Sequence, residues 1–171
     1  MLSPTLFVRS LRRSRRIGVR RRRPTIARRG TWRVYRYHTV PDDSVHSAGP
    51  GPIWTDKPPV VASFAVIRRC EELCMAALHE AIPEGHCALG IHQRLNHIGP
   101  IAVGAEIEIS ARCTAARGTY SSWSVIVRDA HEVVGEGRMD FVVVYRPHFE
   151  AHRLAHKTVI VTAEFEENSA H

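Results

Sequence analysis

Alternation of hydrophobic and polar residues is the dominant pattern of this chain, and one segment replaces it with a helical spacing. Five alternating segments predict β-strands, at residues 32–40, 87–97, 105–115, 120–130 and 133–145. Between the first two, the segment VVASFAVIRRCEELCMAALHEAIPEG repeats apolar residues at intervals of three and four and predicts one long helix, which starts at Ser63 and is ended by Pro83 and Gly85. Short turns between the last four strands, at Gly99-Pro100, Arg117-Gly118 and Ala130-His131, indicate an antiparallel meander. These elements predict an α+β domain with the helix on one face of the sheet.

The predicted helix carries a carboxylate within its apolar stripe. The stripe is formed by Ile67, Cys74, Met75 and Leu78. Glu71 lies in the middle of these residues, and Ser63 lies on the same row two near-turns earlier. An unpaired buried carboxylate is costly, so a glutamate at this position indicates either a structural partner or a chemical role.

The strand at residues 87–97 ends with a histidine on its apolar face. In a regular strand one face holds Leu89, Ile91, Leu95 and His97, with Gln93 as an exception, and the other holds Gly90, His92, Arg94 and Asn96. The apolar face is expected to meet the helix, so His97 and Glu71 should lie on facing surfaces. They form either a structural pair or a catalytic one, in which a carboxylate activates water or attacks, an imidazole moves protons and Ser63 orients.

The net charge of +7 is concentrated in an amino-terminal arm. Residues 1–30 contain eleven arginines and no acidic residue, which leaves 13 basic and 17 acidic residues in the rest of the chain. We predict a disordered arm at residues 1–31, a domain at 32–157 that binds no nucleic acid, and a carboxy-terminal extension at 158–171 that can add a strand. A mitochondrial presequence and a basic tail for nucleic acid or anionic lipid are alternatives for the arm.

The remaining polar residues favour neither a metal nor a cofactor. The four cysteines form no CxxC pair and are expected to be buried free thiols, at positions 70, 74, 87 and 113. His148, His152 and His156 have the spacing of a helical metal site, but surface histidines are the commoner interpretation. Because no run is long enough to span a bilayer and no secretory signal is present, we expect a cytoplasmic protein, with the mitochondrial matrix as the alternative.

The segments VVASFAVIRRCEELCMAAL and ALGIHQRLNHIGPIAVG together resemble the hotdog-fold thioesterases of the fluoroacetyl-CoA thioesterase type. In that family an Ala-Thr pair near the helix start, a glutamate eight residues later, and a strand LG-x-x-V-x-V-x-H followed by a proline-containing turn recur in this order. The resemblance implies a hotdog fold, in which a five- to six-stranded antiparallel sheet wraps one long central helix. It also implies a homodimer with acyl-CoA bound at the subunit interface, and two such dimers can pair into a tetramer.

The resemblance also implies the reaction, which is hydrolysis of a short-chain acyl-CoA thioester without a cofactor. Glu71 takes the position of the catalytic carboxylate and His97 that of the catalytic histidine. Ser63 falls where the family usually has threonine, and Gly90 falls at the strand glycine whose N–H can stabilise an oxyanion. A non-catalytic acyl-CoA-binding module and an acyl-thioester dehydratase or hydratase are the alternatives. At residues 92–94 the strand departs from the family pattern.

Overall fold

The computed structural model describes residues 26–155 and 157. In chain order the elements are β1 (Trp32–His38), α1 (Pro52–Thr55), α2 (Ser63–His79), β2 (His86–His97), β3 (Glu106–Arg117), β4 (Tyr120–Arg128), β5 (Val133–Tyr145) and α3 (Arg146–Phe149). Short 3-10 turns at Pro41–Asp43 and Val45–Ser47 precede α1, and a π turn at Glu150–Leu154 follows α3. All strand pairs are antiparallel and α2 packs against the sheet. The α+β prediction is confirmed.

The strand order is β1-β3-β4-β5-β2, so β2 lies at an edge beside β5 and not beside β3. The predicted meander is therefore wrong for β2. The segment between β2 and β3 is not a tight turn, because Ile101 is fully buried and its carbonyl accepts a hydrogen bond from Val61 N–H at 2.9 Å. On β5, Gly137 lets β2 approach closely, since a Cβ there would collide with the carbonyl oxygen of Arg94.

Helix α2 begins at Ser63, as the sequence indicates, but its buried face is rotated from the predicted one. The buried residues are Ala65, Val66, Cys70, Cys74, Ala77 and Leu78. Ile67 and Glu71 are only partly buried, and Met75 is exposed. Most of the buried residues are small, which lets the helix lie close to the sheet and shifts the centre of contact toward them. Glu71 consequently lies on the flank of the buried stripe and not in its middle.

The sheet face that meets α2 forms the core of the domain. Its largest fully buried side chains are Ile107, Ile109, Trp123, Val125, Val127, Met139 and Phe141. Burial raises the pKa of the Cys70 thiol, which also lies in this core, to about 12. Cys70, Cys74 and Cys113 are buried free thiols as expected, and Cys87 is partly buried.

A β-bulge in β2 changes which of its residues face the helix. Gly90 pairs with Phe141 and His92 with the next residue of β5, Asp140, so Ile91 is an extra residue in the ladder. Paired residues lie on the same side of a sheet, and Phe141 is in the core. The sequence predicts Gly90 on the face opposite His97, and Leu89 and Ile91 on the same face as His97. Both predictions are therefore wrong.

Beyond the bulge, the residues of β2 that face the helix are Gln93, Leu95 and His97, paired with Met139, Gly137 and Gly135 of β5. Leu95 and His97 lie on the expected face. Gln93 is no exception to the alternation, because the bulge gives it the same face as Gly90. One irregularity in the backbone thus brings Gly90, Gln93 and His97 to a single surface.

The domain begins before β1. Ile26 and Ala27 are buried, and Gly30 N–H donates to the carbonyl of Cys113 at 2.8 Å, so residues 26–31 of the predicted arm pack on the sheet. Residues 1–25, the predicted extension with its additional strand, and His156 lie outside the described residues. Within the described part of the chain, no helix has the length and apolar character needed to cross a bilayer.

Candidate active site

The start of α2 lies beside the end of β2, and this brings Ser63 to His97. The Ser63 Oγ and His97 Nδ1 atoms are 2.9 Å apart and hydrogen bonded. The backbone anchors this helix end, because Ala62 N–H donates to the carbonyl of Asp43 at 2.7 Å. Ala62 is the N-cap residue and Ser63 the first helical residue, and the Ser63 hydroxyl does not cap the helix, so it is available to the imidazole.

The second ring nitrogen of His97 is left free. Its Nε2 atom is buried and makes no hydrogen bond to any described residue. Burial lowers the pKa of His97, and the backbone of Gly99 offsets part of this effect. A neutral imidazole with one engaged nitrogen and one free nitrogen can accept a proton and pass it on.

The carboxylate of Glu71 lies against the strand glycine. A Cβ at Gly90 would collide with Glu71 Oε1, so only a residue without a side chain fits there. Gln93 Nε2 donates a hydrogen bond to the same oxygen at 3.3 Å. Glu71, Gly90 and Gln93 thus form one polar cluster on the helix-facing side of β2.

These two groups are separate within one copy of the chain. No hydrogen bond or ion pair joins Glu71 to His97 among residues 26–155 and 157. Along α2, the eight residues from Ser63 to Glu71 correspond to about 12 Å of helix rise. The structure therefore brings Ser63 to His97 and Glu71 to Gly90, but it does not bring the two groups into contact.

Gln93 is the site residue that the sequence did not identify. Regular alternation through residues 89–97 makes Gln93 a polar exception on an apolar face, because such a pattern takes no account of the bulge. The available signal was the odd interval of seven residues between Gly90 and His97, which a regular strand would place on opposite faces.

The two arginines of α2 do not reach Glu71. Arg69 donates to Glu72 at 3.0 Å, and an Arg68 nitrogen lies 3.8 Å from the same carboxylate. Both guanidinium groups also lie 3.6 Å from the buried Asp43. Arg68 and Glu72 thus form an i,i+4 ion pair on the outer side of the helix, where both arginines are engaged.

Asp43 belongs to a structural network behind Ser63. Tyr37 donates to its carboxylate at 2.6 Å and Val40 N–H at 3.0 Å. Burial by itself raises the pKa of Asp43, but these hydrogen bonds and the charges of Arg69 and Arg68 outweigh burial and hold the pKa below its usual range. Because the same residue accepts from Ala62, the network fixes the start of α2.

The described residues contain no cluster of three or more metal-ligating side chains. The rings of His148 and His152 lie 4.3 Å apart, with no third ligand described beside them.

Comparison with known proteins decides the family. A family model described as FlK, fluoroacetyl-CoA-specific thioesterase, matches residues 45–147. The chain belongs to this family. It is therefore a thioesterase, a hydrolase that acts on acyl-CoA thioesters, and the matched residues include Ser63, Glu71, Gly90 and His97. No curated protein sequence matches the chain significantly.

Solved structures show the hotdog fold. The chain is similar to the fluoroacetyl-CoA thioesterase FlK, with 21% identity over 78% of this chain and 98% of that chain and a TM-score of 0.72. It is also similar to a hot-dog-like protein from Thermanaerovibrio acidaminovorans, with 18% identity over 79% and 96% and a TM-score of 0.70. A thioesterase superfamily member from Thermus thermophilus has 21% identity over 79% and 96% and a TM-score of 0.66. The predicted hotdog fold is confirmed.

Proposed function

We propose that this member of the family hydrolyses short-chain acyl-CoA thioesters to the free acid and CoA, with Glu71, His97 and Ser63 as its catalytic residues. The observation that carries the proposal is the 2.9 Å Ser63–His97 hydrogen bond, on the same flank of α2 that holds Glu71 against Gly90. In the FlK structures, acetyl-CoA is bound to a threonine-to-serine variant. That complex supports a short acyl group and a serine-containing site.

In the proposed reaction Glu71 acts at the thioester carbonyl, either by activating water or by direct attack. When water attacks, its oxygen forms the C–O bond, one of its protons passes through the neutral His97 imidazole to the CoA sulfur as the C–S bond breaks, and the other stays with the released acid. When Glu71 attacks, the C–S bond breaks as an acyl-Glu71 anhydride forms; water then hydrolyses the anhydride and supplies the proton that His97 passes to the CoA thiolate. Ser63 holds the imidazole through its Nδ1 atom. The bulge at Gly90 supports oxyanion binding, because a bulge leaves backbone groups without regular ladder partners.

We further propose that two copies complete the site. β2 is an edge strand, and the neighbouring apolar side chains of Phe64, Met75 and Ile91 are exposed in a single copy. Because the bulged Ile91 adds no step of the pleat, antiparallel pairing of two β2 strands about a two-fold axis at Arg94 would set Gly90 of one copy opposite His97 of the other. Glu71 and His97 would then act together across the interface.

The activity is tested by following thiol release from acetyl-, fluoroacetyl-, propionyl- and hexanoyl-CoA. We expect release from the short substrates, and its loss in Glu71→Gln and in His97→Ala. Binding of CoA esters without thiol release by the wild type would instead identify a non-catalytic module. Addition of water to an enoyl-CoA without thiol release would identify a hydratase. Full activity of both variants would overturn the assignment of the site.

The shared site is tested by mixing the two inactive variants. If Glu71 and His97 act across the interface, a mixed dimer has one intact site and one site that lacks both residues. Unfolding and refolding equal amounts together should then restore about one quarter of the wild-type rate, because half of the dimers are mixed and each has one working site. No recovery, with mixed dimers shown by mass spectrometry, would place both residues of each site in one copy.

A further inference from the structure

Gln93 is the only described residue that donates a hydrogen bond to the carboxylate of Glu71. A carboxylate is only an acceptor when ionised, so the amide must present its NH₂ group and not its oxygen. The hydrogen bond therefore fixes the orientation of Gln93 as well as that of Glu71 Oε1. The other carboxylate oxygen remains available to water or to the thioester.

The bond between Gln93 and Glu71 depends on the bulge in β2. Without the extra residue Ile91 in the ladder, Gly90 and Gln93 could not share a face at an interval of three residues. A Cβ at Gly90 would also collide with Gln93 Nε2, so the amide, the glycine and the carboxylate lie close together. This placement beside the reacting centre distinguishes Gln93 from the other polar residues of the strand.

The cations nearest in sequence are engaged elsewhere. Arg68 and Arg69 pair with Glu72 and Asp43 on the outer side of α2. Glu71 is thus oriented by a neutral amide, whereas a guanidinium partner would place a compensating positive charge beside it. A carboxylate that must act as a base or nucleophile benefits from orientation without neutralisation.

We propose that Gln93 is a positioning residue, which holds the Glu71 carboxylate in its reactive orientation above Gly90. The inference rests on the proposed thioesterase site and adds a residue that the family pattern does not predict at this position. Its contribution belongs to the chemical step, because the amide acts through Glu71 and does not hold the CoA portion of the substrate.

The test compares Gln93→Met with the wild type in steady-state hydrolysis of acetyl-CoA. Methionine keeps the length and flexibility of the side chain and removes the donor. We expect kcat to fall about tenfold, as loss of a hydrogen bond to a charged group implies, while KM changes less than about twofold. Arg36→Met is the control, at an exposed arginine of β1 on the opposite edge of the sheet, and it should retain the wild-type kcat.

A double-mutant cycle separates positioning from a general structural role. Glu71→Asp withdraws the carboxylate from the amide by one methylene, so Gln93→Met should then lower kcat less than about twofold. An equal loss in both backgrounds, or a full wild-type kcat in Gln93→Met, would overturn the inference and leave the proposed function intact. Full activity of Glu71→Gln, or no thiol release by the wild type, would overturn the proposed function and this inference together.

Discussion

Two carboxylates lie on different sides of helix α2 and have contrasting surroundings. Asp43 is buried and is contacted by Tyr37, by a backbone N–H and by two arginines. Glu71 is partly buried, lies beside a glycine and accepts one hydrogen bond from a neutral amide. This contrast indicates that Asp43 stabilises the fold, whereas Glu71 is the better candidate for a chemical role. The buried charge of Asp43, with two hydrogen bonds on Oδ2 and two arginines 3.6 Å from Oδ1, stabilises the structure around it, whereas the partly buried carboxylate of Glu71 faces no cation among the described residues.

The largest effect that we expect from this comparison is the loss of activity when Glu71 is substituted. Glu71→Gln preserves the shape and the hydrogen-bonding capacity of the side chain but removes its charge. We expect kcat/KM for acetyl-CoA to fall about 10³-fold, and the free energy of unfolding to change by less than about 0.5 kcal/mol. Thiol-release assays and urea titrations measure the two effects. Glu72→Gln is the matched control on the same helix. A comparable fall in kcat/KM in that variant would contradict a specific role for Glu71.

The opposite outcome is expected at Asp43. Asp43→Asn removes the buried negative charge that faces Arg68 and Arg69, leaves Glu72 as their acidic partner, and should lower the free energy of unfolding by about 3 kcal/mol, as measured by urea denaturation. The folded fraction should keep most of its activity. Asp42→Asn, at the exposed neighbouring position, should cost less than about 0.5 kcal/mol. A stable Asp43→Asn protein would show that the network contributes little to the fold.

A smaller loss is expected when only one contact of the Asp43 network is removed. Tyr37→Phe deletes the hydroxyl that donates to Asp43 and accepts from Arg69 at 2.7 Å. The ring under the Arg69 guanidinium, at 4.1 Å, is retained. We expect the free energy of unfolding to fall by about 1–2 kcal/mol, measured by thermal or urea unfolding. Tyr35→Phe removes an exposed hydroxyl from the same strand and should be nearly neutral.

The two sides of α2 should also respond to acid in different ranges. Burial lowers the pKa of His97 from its usual 6.5, so kcat/KM should be constant above pH 6.5 and fall only below it, as the imidazole takes up a proton. The pKa of Asp43 is held below 3.8, so the stability that it contributes is present above pH 3.8 and is lost as the pH falls further. A pH series of kinetics and of circular dichroism compares the two ranges. Loss of activity that coincides with unfolding would contradict the assignment.

Local periodicity was sufficient for much of this architecture. It located the helix start at Ser63, the strands and the turn at Gly118, because these depend on residues near one another in the chain. It did not reveal that β2 pairs with β5, since this contact joins distant segments and depends on the burial of Ile101. Nor did it reveal the true buried face of α2, because small residues such as Ala77 count little in a hydrophobic stripe yet allow the closest approach.

The candidate site shows the same division. Ser63 and His97 could be found from composition and spacing, and the structure joins them by a hydrogen bond. Gln93 could not be found in this way. The face of β2 on which it lies is set by the bulge at Ile91, and regular alternation takes no account of a bulge. The sequence also does not reveal that Glu71 and His97 are separate within one copy. It predicts that the helix and the strand face each other, but it does not predict which residues lie at the same height along them.

The bulge at Ile91 has a consequence for comparing and redesigning such chains. Ile91 adds to the length of β2 without adding a step of the pleat. A relative that lacked this residue would show a one-residue gap in an alignment and would still present the same side chains to the helix. Conversely, an insertion or deletion between residues 92 and 97 would exchange the two faces and turn His97 toward solvent. Tolerance of length changes in this strand should therefore be confined to a single position.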